Sequence, residues 1–174
     1  MPDETAAPAR SPTPLEEGSP YPSPAEPLVE SERFVNKRGG YRFSLPEGWK
    51  ANKKGPRTEL RGPKRVAAMS IAPIKTHSLK KVSRSLVRSI RAGYSKVKVE
   101  GRENSPIGEL RSRAVAGRAV NERGAKLRFL AIAIKGSKRF FGVGVFTPRS
   151  SDPSQVVPAV QTIVSSFEPV KRRS

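Results

Sequence analysis

Between residues 33 and 168 the hydrophobic period is close to two almost everywhere and close to 3.6 in only two places, and this ordering restricts the fold more than any other feature. Arg33 to Asn36 and Tyr41 to Leu45 read as strands around the turn Lys37-Arg38-Gly39-Gly40, because Tyr41, Phe43 and Leu45 alternate with Arg42 and Ser44. Pro46-Glu47-Gly48 turns the chain, and Trp49 follows as a core residue in preference to a stacking platform. Thr58 to Arg61 and Val66 to Ile74 are further strands, the second apolar enough for a central position.

The period then changes. From Ser78 to Gly93, Leu79, Val82, Leu86, Val87 and Ile90 share one helical face, with Ser78 as N-cap and Gly93 as the residue just past the end. Four strands follow: Tyr94 to Glu100, Glu109 to Val120, Ala125 to Lys135 and Lys138 to Thr147, the last three joined as a meander through Asn121-Glu122-Arg123-Gly124 and Gly136-Ser137. The glycines of Phe141-Gly142-Val143-Gly144-Val145 read as relief of crowding rather than as a phosphate cradle. Asp152-Pro153 opens a second helix, with Val156, Val157, Val160, Ile163, Val164 and Phe167 as its apolar stripe and Pro158 near its start. The expected fold class is α+β, an antiparallel sheet of about six to seven strands covered by two main helices.

Composition divides the chain at residue 31. Residues 1–31 carry eight prolines and a net charge of −5, and they read as a disordered, proline-rich acidic tail or linker. Residues 32–174 form a single domain with 33 basic groups against 9 acidic, a net of +24. No cysteine and a single histidine, His77, exclude disulfide frameworks, thiolate nucleophiles and Cys- or His-rich metal centres. The carboxylates are spread through turns and strand ends without forming a pair, and no P-loop, nucleophile-elbow or dinucleotide motif is present. The chain therefore reads as non-enzymatic, without cofactor or metal. The enzyme reading survives only as His77 or two carboxylates meeting in a deep pocket.

The phrase Tyr41-Arg42-Phe43-Ser44-Leu45-Pro46-Glu47-Gly48-Trp49, followed by strands, a helix, a meander and a closing helix that ends in Ser165-Ser166-Phe167, resembles the PsbP/Mog1-like fold family, which includes bacterial DcrB-like proteins. The resemblance spans nearly all of residues 33–168. It implies an antiparallel sheet covered by helices and an accessory or chaperoning role without a fixed catalytic site, and it transfers no binding residue.

The distinctive chemistry is cationic. Lys80, Lys81, Arg84, Arg88 and Arg91 share one arc of the first helix, and no acidic residue lies between Ser78 and Gly93 to neutralise them. The arc reads as the face that binds an acidic protein partner or macromolecular assembly. The alternatives are sequence-independent binding of nucleic acid or an anionic envelope polymer through phosphate-type contacts, and a merely solvated surface in an arginine-rich proteome. No apolar run is long enough for membrane insertion, and no leader is present, which fits a cytoplasmic protein if Met1 is native. The alternative is a cell-envelope or secreted protein whose leader has been removed.

Overall fold

The computed structural model describes residues 32–104 and 106–170, so the expected tail over residues 1–31 lies outside the described residues. The first hairpin forms as its alternation predicts, with β1 (Glu32–Asn36) antiparallel to β2 (Tyr41–Leu45). A two-residue strand from the C-terminal end, β10 (Glu168–Pro169), pairs with the other side of β2 to complete a three-stranded sheet. The two phrases behind the family resemblance meet there. The Ser44 backbone N–H donates to Ser166 Oγ at 2.8 Å, and the Phe167 ring stacks on Tyr41 with centroids 5.7 Å apart.

The larger sheet has seven antiparallel strands in the order β3-β4-β5-β9-β8-β7-β6. They are β3 (Lys50–Lys54), β4 (Arg57–Arg61), β5 (Ala68–Ile74), β6 (Ser95–Asn104), β7 (Arg111–Val120), β8 (Lys126–Lys135) and β9 (Phe140–Pro148). β3 was not legible, because Lys-Ala-Asn-Lys-Lys has no alternation; it forms because the turn at Gly55, φ 64°, folds it back as an edge onto β4. The expected strand from Val66 begins at Ala68, after a single 3-10 turn over Pro63–Arg65. The strand expected from Glu109 begins at Arg111.

Each face of this sheet has its own cover. Helix α1 (Leu79–Gly93) packs Leu86, Val87 and Ile90 against Val115, Ala119, Phe129 and Ala131. On the other side, the small sheet and α2 (Pro153–Ser165) enclose Tyr41, Phe43, Trp49, Ile132, Ile134, Phe141, Val143, Val156, Val160 and Ile163. β8 shows how alternation divides the work: Phe129 and Ala131 face α1, whereas Ile132 and Ile134 face the other layer. Trp49 is buried there as expected of a core residue.

Local departures from the expected pattern have physical causes. Gly93 is the last helical residue, with an extended Tyr94 as the cap, so the helix ends by passing straight into β6 and not through a left-handed glycine. α2 continues through Pro158 to Ser165, and Val157 is 48% exposed because Val156, Val160 and Ile163 already occupy the buried face. A Cβ on Gly142 would lie 2.5 Å from Ile74 Cδ1 and 2.9 Å from Leu86 Cδ2, so this glycine lets α1 seat on β9. Gly144 has ordinary room, and the crowding argument does not extend to it.

Candidate anion-binding groove

α1 begins where Ser78 Oγ accepts the Lys81 backbone N–H at 3.1 Å, and its strongly amphipathic sequence turns one side into the core. Val82, Val87 and Ile90 are buried, while Lys80, Lys81, Arg84, Arg88 and Arg91 are all exposed on the other side. The helix contains no carboxylate. Four ion pairs join Arg42 to Glu168, Lys54 and Arg57 to Glu59, and Arg118 to Glu100. Among the described residues, none of the five α1 cations takes part in an ion pair.

The fold sorts these five residues into different settings. Arg84, Arg88 and Arg91 border a groove of about 320 Å³ between α1 and β6, with Ser83 and Val87 along its wall. Lys80 borders a neighbouring groove of about 420 Å³ near the start of the helix, together with Arg111 and Arg113. Lys81 borders neither.

The first groove contains a fourth guanidinium, from Arg102 on β6, which the sequence pattern did not single out. Its position depends on a bulge. Val99 stands opposite Gly117 and Gly101 opposite Ala116, so Glu100 is the extra residue and the alternation of β6 resets there. Val97 and Val99 face α1; uninterrupted, the pattern would send Gly101 to that side and Arg102 away. After the reset Arg102 stands opposite Val115, a residue of the α1-side core, and shares its face.

Four guanidinium groups supply only donors, in planar forks that suit carboxylates and phosphates. They offer neither nucleophile nor base. His77 is exposed in the segment before α1, and neither groove contains it or any carboxylate. Among the described residues, no group of three or more His, Cys, Asp or Glu is placed to hold a metal, and no helix is long and apolar enough to cross a membrane.

No family model and no curated protein matches the chain. Solved structures do. Cyanobacterial PsbP (CyanoP) from Synechocystis sp. PCC 6803 superposes with a TM-score of 0.59 at 18% identity, covering 87% of this chain and 99% of that one. LpqN of Mycobacterium tuberculosis, a protein involved in cell envelope biogenesis, gives 0.50 at 10% identity, covering 84% and 87%. The fold is PsbP/Mog1-like. A protein from Bacteroides thetaiotaomicron gives 0.56 at 12% identity over 82% of this chain, which spans 50% of that longer chain. In this PsbP/Mog1-like body the groove lies on the α1 side of the large sheet, whereas Tyr41, Phe43 and Trp49 belong to the opposite layer. The residues that carry the resemblance therefore build the scaffold and leave the groove to residues outside it.

Proposed function

We propose that the chain is a non-enzymatic binding or adaptor module that contacts an acidic protein partner through the exposed face of α1 and the groove beside it. One observation carries this reading: Arg84, Arg88, Arg91 and Arg102 border a single groove, and among the described residues no carboxylate pairs with any of them. Like charges gathered this closely raise the free energy of the free protein, and an acidic surface relieves that repulsion on binding. The involvement of the similarly folded LpqN in cell envelope biogenesis supports an accessory role by analogy.

Photo-cross-linking tests the reading. A photoreactive residue at Ser85, exposed on α1, should capture a protein with an acidic surface in the native cells, and capture should be lost in a variant with Lys80, Arg84, Arg88 and Arg91 changed to Gln. Undiminished capture by that variant overturns the assignment. Capture of nucleic acid, with log affinity falling linearly against log salt and little dependence on sequence, would replace the acidic protein with a polyanion.

A further inference from the structure

We infer that the segment bound at this groove is an extended strand with acidic residues at alternate positions, laid along the open edge of β6 beside α1. The inference rests on the reading above and adds the conformation and side-chain pattern of the ligand.

β6 is ten residues long and stands at the end of the seven-stranded sheet, so among the described residues only β7 pairs with it. α1 passes into β6 through the single residue Tyr94, and the chain turns back on itself there. The grooves agree with that path. Arg102 meets the later turns of α1, whereas Asn104, at the far end of β6, shares the other groove with Leu79 and Lys80 at the start of the helix. Helix and edge strand thus both border the two grooves, with α1 cations along the helix wall and Arg102 as the cation that β6 itself supplies.

The spacing of those cations suits a strand. At about 1.5 Å of rise per residue, Lys80, Arg84 and Arg88 follow one another at about 6 Å, with Arg91 about 4.5 Å further on. Alternate residues of an extended chain project to the same side about 6.6 Å apart. Long, flexible cationic side chains absorb the small difference, so acidic residues at every second position could each meet one of them.

The edge itself is selective. Bulges between Ser95 and Lys98 and between Val99 and Gly101, with Lys96 at φ 49°, interrupt the first half of β6. From Gly101 to Asn104 the pairing with β7 runs without a break, so the outer row of backbone groups is regular in just the stretch that holds Arg102. β6 carries Lys96, Lys98 and Arg102 against Glu100 and Glu103, and Glu100 is paired with Arg118, so the balance along this edge is slightly cationic and favours an acidic strand over another copy of itself. No aromatic side chain borders either groove, which leaves nucleic-acid bases nothing to stack on.

Two peptides of identical composition test the inference, one alternating Asp with Thr over eight residues and one carrying four consecutive Asp before four Thr. Against the whole chain at fixed salt, the alternating peptide should bind about tenfold more tightly, roughly the effect of one additional charge-assisted contact. It should slow amide exchange at Gly101–Asn104, and Arg102→Gln should remove most of the preference. Equal affinities, or unchanged exchange along β6, overturn the extended-strand inference while leaving an acidic partner in place. So does an oligonucleotide of equal charge that displaces the alternating peptide at matching concentration. Failure of the underlying reading shows itself separately, as undiminished capture by the four-Gln variant.

Discussion

The hydroxyls of Tyr41 and Thr58 lie 2.6 Å apart, and this contact joins β2 of the small sheet to β4 of the large one. Both side chains are fully buried. Asn36 completes the group: its Nδ2 donates to Thr58 Oγ1 at 3.0 Å and to Tyr41 Oη at 3.3 Å, and its Oδ1 accepts the Gly39 N–H at 2.9 Å. The Ile71 carbonyl stands 3.0 Å from the Tyr41 hydroxyl, within reach of its proton.

Tyr41→Phe preserves the ring packing and removes the shared oxygen. Because Asn36 and Thr58 would lose a buried partner, unfolding free energy should fall by about 1–3 kcal/mol in a denaturant titration. A loss below about 0.5 kcal/mol would mean that water replaces the hydroxyl and that the sheets do not depend on it.

The same tyrosine gives the domain an alkaline limit. Burial raises the Tyr41 pKa above its ordinary 10.0, against the opposing hydrogen bonds from Thr58 and Asn36, and burial raises Tyr94 as well. A raised folded-state pKa means that the folded chain holds the proton after the unfolded chain has released it. The associated stability is complete below pH 10 and is lost as pH rises from there through the folded pKa. Thermal unfolding measured between pH 8 and pH 11 should show that decline, and Tyr41→Phe should flatten part of it.

Charge and packing should separate cleanly in α1. Replacing Lys80, Arg84, Arg88 and Arg91 by Gln should change stability by no more than about 0.5 kcal/mol while abolishing partner binding. Ile90→Ala, at a buried position in the same helix, should cost about 2–5 kcal/mol and leave the cations in place. Unfolding of the four-Gln variant, followed by circular dichroism, would contradict the exposed assignment of these residues.

Gly142→Ala tests how closely α1 sits on β9. With Ile74 and Leu86 within 3 Å of the added carbon, one of them has to move, and destabilisation of about 1–3 kcal/mol is expected from a melting curve. Gly144→Ala, with ordinary contact distances, should cost much less.

The elements legible in the sequence were those whose side chains alternate against a core. Tyr41, Phe43 and Leu45 gave β2; Leu127 and Phe129 on one face with Leu130, Ile132 and Ile134 on the other gave β8; the apolar face from Val82 to Ile90 gave α1. β3 and β10 were hidden because their partners' backbones hold them, and neither Lys50–Lys54 nor Glu168–Pro169 carries an apolar alternation to reveal it. The cations of α1 were legible from helical spacing alone. Arg102 was not, because its face is set by a one-residue bulge at Glu100, and a bulge leaves little trace in composition or period.

A helix with five cations, no carboxylate and like charges repeated four residues apart gains little from its own sequence. At fifteen residues it would be marginal in water even without that repulsion. Leu86, Val87 and Ile90 hold it in shape by docking on the sheet, so its conformation is borrowed from the rest of the domain. The proposed binding surface therefore cannot be cut out as a peptide and keep its geometry. A partner that reads these cations in their folded spacing also reports on the domain's integrity, ignoring proteolytic fragments that carry the same residues.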